Sequence, residues 1–254
     1  MSLPVPVKPT PGDLRGLLPA GVVLFLWLGS WLAVAWLPLS WQVAPIAVGA
    51  VIVRTFLCTG LFITAHDAMH GTLTPGRPRL NDSLGAICAF LFAGFNFSTM
   101  RTAHYAHHAT PASDGDPDWH DGEDPRFLAW LFAFGRRYVR WWQVLGIAVF
   151  HNILVRGFDF PEPNLWLFLW LPPVLGALQL FTFGTWLPHK RPAHGHTNRH
   201  HAESIDVPVW LSFLTCYHFG YHLTHHAFPW VPWWRLPEAR RVRLGRARSP
   251  LEHA

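Results

Sequence analysis

The chain alternates long apolar stretches with short polar ones. From Gly16 to Val53 there is no Asp, Glu, Lys or Arg, a run long enough for two crossings of a bilayer core about 30 Å thick. Pro38 and Pro45 mark a turn inside it. The pattern therefore predicts one helix from about Gly21 to Trp36 and another from about Val43 to Thr64, with Arg54 near the cytoplasmic end of the second. A further pair is predicted from Trp141 to Val155 and from Leu165 to Trp186, joined by the turn-like segment from Arg156 to Pro161. Leu84 to Phe95 and Val207 to Tyr217 are apolar but short, which suits re-entrant or interfacial helices. The expected architecture is a single all-α integral membrane domain over residues 1–254, with about four transmembrane helices plus interfacial ones.

Composition agrees, with 50% hydrophobic and only 14% charged residues among 254, a balance foreign to soluble globules. Charge then orients the helices. Lys8 and Arg15, Arg136, Arg137 and Arg140, Lys190, Arg191 and Arg199, and the arginine-rich tail all fall on one predicted side. That side is cytoplasmic by the positive-inside rule. The net charge of +5 is thereby explained as topology and contact with anionic membrane lipid, and no nucleic acid is expected. Cys58, Cys88 and Cys216 are scattered singly, as expected of buried thiols and not of a disulfide framework or cysteine metal site. The N-terminal region shows no cleavable signal or transit pattern. A bacterial inner membrane is the default location.

Seventeen histidines change the picture. His66 and His70 frame HDAMH, His104, His107 and His108 form HYAHH, and His222, His225 and His226 form HLTHH. Residues three and four apart share one face of a helix, so each group presents its rings to one spot. His218 extends the third group by a turn, giving a stripe of His218, His222, His225 and His226. The predicted topology brings all three groups and His189 to the same membrane side, where ionisable clusters are functional by default. Eight to ten imidazoles exceed what one zinc accepts, so two metals are more economical. Neither HExxH nor a Glu-x-x-His pattern is present. A nitrogen-rich dinuclear site remains.

These boxes resemble the membrane fatty-acid desaturase and hydroxylase superfamily. Longer words, TGLFITAHDAMHGT from Thr59, RLNDSLG from Arg79, GDPDWH from Gly115, FGTWLPH from Phe183, HTNRHHAES from His196 and the segment from Thr215 to Arg240, resemble its bacterial β-carotene ketolases. The resemblance implies two non-haem iron ions on the cytoplasmic side, O₂ as co-substrate and a reduced ferredoxin-type electron donor from outside the chain. It also implies double hydroxylation and dehydration at C4 of a β-ionone ring, taking β-carotene or a related carotenoid to echinenone and canthaxanthin. His66, His70, His104, His107, His108, His222, His225 and His226 are the expected metal-binding catalytic set, with His189 and His218 as further candidate ligands.

Alternatives stay open at this level. A carotenoid hydroxylase or lipid desaturase would carry the same boxes. A metal transporter would place its ligands nearer the midplane. Asp67, Asp116 and Asp118 could accept the outer ring N–H of a ligand, or could belong to a solvated acidic loop with Asp114, Asp121, Glu123 and Asp124. His194, His196, His200 and His201 read as a solvated loop, and His120, His151 and His253 as structural or terminal residues. Phe228, Trp230, Trp233 and Trp234 could line a substrate path or form an interfacial belt. Arg235, Arg240 and Arg241 offer a basic surface to an acidic donor.

Overall fold

A computed structural model describes residues 5–120, 125–192 and 195–247. Asp121, Glu123, Asp124, His194 and His253 lie outside these. The described residues are helical, with no strand: α1 Leu17–Val34, α2 Ala44–Met69, α3 Pro78–Ala93, α4 Phe97–Ala109, α5 Phe127–Tyr138, α6 Trp141–Phe158, a continuous α7 Glu162–His189, α8 Val209–Cys216, α9 His222–Ala227 and α10 Leu236–Ala247. Among them α1, α2 with its leading turn Trp41–Val43, and α7 are long and apolar enough to cross a membrane. The bent pair α3 and α4, meeting at 96°, makes a fourth if taken as one span. This is an all-α membrane protein.

The second hairpin expected from the pattern is half realised. The α6 helix forms where predicted, but Gln143, His151, Asn152 and Arg156 dilute its apolar character, and it is absent from the candidate spans. Leu84–Phe95, expected to be a re-entrant or interfacial helix, lies almost wholly in α3, which is not long and apolar enough to cross alone and forms with α4 either a broken span or a re-entrant loop. Gly94 ends α3 in the left-handed region (φ +67°), and Asn96 caps α4 by accepting the Thr99 N–H at 3.0 Å, so the chain turns sharply between them.

The organising element is α2. Its first half shows Ile46, Val48, Ile52 and Val53 outward, while Leu57 through Met69 is almost wholly buried. Close approach by α3 and α7 depends on glycine, as at other membrane helix contacts. A Cβ at Gly176 on α7 would stand 3.2 Å from Thr59 Oγ1, and one at Gly85 on α3 would meet the Ala68 methyl at 2.7 Å.

Arg54 corrects an expectation. It lies well inside α2 and is fully buried, about 18 Å of helix rise from His66. Its guanidinium donates to Trp27 O at 2.9 Å, to Ser30 Oγ at 3.0 Å and to Phe168 O. The last acceptor exists because Pro172, four residues on, has no N–H to offer it. The same segment, Trp166–Trp170, is wound as a π-helix. An intramembrane cation is thus held by two backbone carbonyls, one of them freed by proline, and a serine hydroxyl, in place of an acidic partner.

Candidate metal centre

Four elements deliver the histidines. His66 occupies the last turn of α2 and His70 caps it. Asn81 on α3 secures that end by donating to Ala68 O at 2.7 Å, and Tyr105 on α4 by donating to Met69 O at 2.5 Å. The α4 helix carries His104, His107 and His108, α9 carries His222, His225 and His226, and His189 closes α7. The N-terminal segment lies at the same end, with Gly12 N–H donating to Pro75 O at 2.7 Å.

These side chains converge into two groups, each with its ligand atoms within 4.8 Å of one another. Cluster A comprises His66, His70, His104, His108 and His225. Cluster B comprises His107, His189, His222 and His226. The adjacent residues His107 and His108 belong to different clusters, as do His225 and His226. Ring nitrogens face each other closely: His70 and His104 Nε2 at 2.7 Å, His108 and His225 Nε2 at 2.9 Å, His107 and His226 Nε2 at 3.1 Å, His222 and His226 Nε2 at 3.0 Å.

The donor set fits a metal. Imidazole nitrogens bound at right angles about 2.1 Å from an ion are about 3.0 Å apart, the separation seen here. Nε2 of His66 and of His189 are buried without any hydrogen-bond partner, a costly state for polar atoms with nothing to bind. Burial, reinforced by neighbouring imidazoles, holds His222, His225 and His226 well below the usual histidine range. They are neutral, as ligands must be.

Outer partners orient some rings. His107 Nδ1 lies 3.0 Å from both oxygens of Asp116, which is buried. His189 Nδ1 donates to His201 O at 2.9 Å. The solvated-loop alternative is therefore wrong for Asp116. Asp118 is held by the Tyr138 hydroxyl but stays 3.8 Å from His107. Burial raises the pKa of both Asp118 and Tyr138. Asp67 does not take a ring proton either: it is 3.6 Å from His66 Nδ1 and instead accepts the Trp233 N–H at 3.1 Å.

Of the ten candidate ligands, His218 stands apart. Tyr217 and His218 adopt left-handed backbone (φ +49° and +64°) after α8, and α9 starts only at His222, so the expected one-sided stripe is broken. The His218 ring sits near Phe213, Tyr221 and Trp233 at 5.8, 5.8 and 6.3 Å, where burial pushes its pKa down to about 4. His196, His200 and His201 occupy a loop outside both clusters. His151 accepts from Trp170 Nε1 at 3.0 Å, away from the site.

Phe219 is a site residue the histidine pattern did not reveal. Its ring lies 4.8 Å from His66, 5.8 Å from His225 and 5.0 Å from His222, touching both clusters. Gly184 on α7 makes room for it. The only trace in sequence is that both lie in the ketolase-like words. The aromatics beyond α9 pack inward in part: Trp233 covers Tyr217 at 5.1 Å, and Trp230 donates to Pro6 O at 3.1 Å.

Fold and site together define an all-helical membrane protein whose paired histidine clusters could hold two metal ions. A sequence model of the fatty acid desaturase family matches residues 39–163 and 130–250, and the chain belongs to that family. The beta-carotene ketolase of Haematococcus lacustris is 37% identical over 263 residues, spanning 92% of this chain and 82% of its own. The beta-carotene ketolase of Paracoccus sp. is 40% identical over 228 residues, 88% of this chain and 91% of its own. A zeaxanthin 4-ketolase from Chlamydomonas reinhardtii is 38% identical over 256 residues, 96% of this chain and 57% of its own.

Proposed function

We propose that this protein is an O₂-dependent, non-haem di-iron carotenoid ketolase that converts β-carotene to echinenone and canthaxanthin. The observation that carries the reading is the pair of all-imidazole clusters in a chain similar to beta-carotene ketolases over most of its length. Cluster A would hold one iron and cluster B the other. When bound, the irons supply the oxidising power that an unactivated C–H bond requires. The chain's own part is to present neutral imidazoles at fixed spacing, to wall the centre with Phe219, and to admit a hydrocarbon already dissolved in the bilayer.

Each ring CH₂ becomes a ketone by two hydroxylations at C4. Each hydroxylation consumes one O₂, two electrons and two protons and releases one water. The geminal diol then loses a further water to leave C=O. The electrons come from an external donor of the reduced ferredoxin type. Its docking on the α10 face is supported by Arg241, which is exposed. Arg235 and Arg240 are engaged with Glu238 at 3.1 Å and Asp206 at 2.6 Å. We place the protein in a bacterial inner membrane, and we put the clusters on its cytoplasmic side because Lys8, Arg15 and Arg137 gather at the cluster end of the helices: Lys8 lies over Trp230, Arg15 adjoins Gly16, which packs on Leu73, and Arg137 donates to Pro117 O.

Expression in a β-carotene-producing bacterium, with pigments separated by chromatography and identified by mass, tests the reading. Keto-carotenoids from the natural chain and none from His225→Ala are expected, with His151→Ala as a control away from the site. Hydroxylated or unchanged pigment from a chain that retains two irons would move the assignment to another reaction of the same family.

A further inference from the structure

Clusters A and B differ in what stands behind their rings. Every cluster B histidine is buried, whereas His70, His104 and His108 of cluster A are partly exposed. Two of the four cluster B rings also have fixed outer acceptors, while Nδ1 of His222 and of His226 is buried without a partner. Both carboxylate oxygens of Asp116 reach His107 Nδ1 at 3.0 Å, and a backbone carbonyl receives His189 Nδ1. Among the described residues no cluster A imidazole has a carboxylate or carbonyl within hydrogen-bond distance, the nearest carboxylate being Asp67 at 3.6 Å from His66.

The loop carrying Asp116 is shaped around that contact. Oδ2 accepts the Ala112 N–H and Oδ1 the Asp118 N–H, each at 2.8 Å. The turn needs left-handed backbone at Ala112 (φ +49°) and Gly115 (φ +90°), of which the first is a cost for a residue with a Cβ. From α5, Trp130 Nε1 donates to Asp118 O at 2.7 Å, Arg137 donates to Pro117 O at 3.0 Å and to Trp119 O, and the Tyr138 hydroxyl donates to the Asp118 carboxylate. A segment held at so many points keeps its carboxylate in one place. A carboxylate at Nδ1 directs Nε2 to the metal, holds the ring's orientation and strengthens it as a donor.

We infer that the two metal positions are kinetically unequal, cluster B retaining its ion through the Asp116 arm while cluster A exchanges its ion with the medium. Asp116 is then a positioning residue acting through His107. This rests on the two-metal reading above and adds an order to it. Cluster B fills for long periods, and cluster A is the position that empties and reloads.

The test uses the iron-loaded, full-length protein in detergent, followed with a coloured ferrous chelator and by elemental analysis. Wild-type protein should lose its iron in two phases of about one equivalent each, their rates more than about tenfold apart. Asp116→Asn should speed the slow phase by about 10- to 100-fold and leave the fast phase unchanged. Asp118→Asn, whose carboxylate does not reach the ring, should change neither. Because Asp116→Asn could also loosen the loop, two further measurements identify the phases. His70→Ala should keep the slow iron, and refilling depleted wild-type protein with ⁵⁷Fe should label one position, seen as a single Mössbauer doublet. A single phase, equal acceleration of both phases by Asp116→Asn, or loss of the slow iron in His70→Ala overturns the inference while leaving the two-metal reading standing. A folded chain that holds no iron overturns both.

Discussion

Replacing Gly184 with alanine puts a methyl carbon 2.3 Å from Phe219 Cε1 and 2.5 Å from Cδ1. Carbon atoms rest about 3.5–4.0 Å apart, so the ring must retreat by about 1 Å. It has nowhere free to go, being flanked by His66, His222 and His225. Overpacking of this kind costs about 1–3 kcal/mol, and a displacement of about 1 Å passed on to reacting groups lowers turnover by about 100-fold. Gly184→Ala is therefore expected to lower the thermal midpoint modestly and to reduce ketone formed per bound iron severely. Combining it with Phe219→Leu, which trims the ring, should restore the midpoint. Wild-type turnover and midpoint in the single variant would refute the claim that Gly184 exists to seat this ring.

Three other outcomes follow from the same geometry. The ordinary histidine value is 6.5, and burial holds His222, His225 and His226 well below it when folded. The unfolded chain thus binds more protons as pH falls below 6.5. Stability is fully present above that value and declines beneath it, by about 1.4 kcal/mol per pH unit for each histidine. Thermal midpoints and bound iron from pH 8 down to 5 should fall together, and a flat profile would count against neutral buried rings. Arg54→Met leaves the Phe168 carbonyl without its donor and should cost about 1–3 kcal/mol, read as a lower midpoint in detergent; an unchanged midpoint would show that the guanidinium does not brace α1, α2 and α7. Cys58, Cys88 and Cys216 are buried free thiols, so maleimide should label none in native membranes and all three after denaturation.

The membrane helices and the histidine groups were legible because each depends on local pattern: charge-free length for α1 and α2, and i, i+3, i+4 spacing for His104, His107 and His108. The partition into clusters was not. Whether His107 or His108 faces cluster B depends on how α4 rotates against α9, a tertiary fact. The one-sided stripe through His218 fails for a local reason: helical spacing does not run back across two left-handed residues, Tyr217 and His218, that no hydrophobic period reports. Arg54 misled because a charge in an apolar run suggests an end, whereas here Pro172 frees a carbonyl from another helix to receive it. Phe219 matters through contacts with His66 and Gly184 on other helices, of which an ordinary aromatic gives no local sign, whereas Asp116 is one of three acidic candidates that the sequence offers without ranking them, and the turn that carries it back to His107 does the ranking.

The division of neighbouring residues between clusters has a mechanical consequence. Under the proposed ligation, His107–His108 and His225–His226 would each reach from one metal to the other through a single peptide unit. The distance between the ions would then be gauged by covalent geometry at two places and would survive breathing of the surrounding helices. It would not survive a one-residue insertion inside either pair, which would cut the gauge while leaving every histidine in the chain.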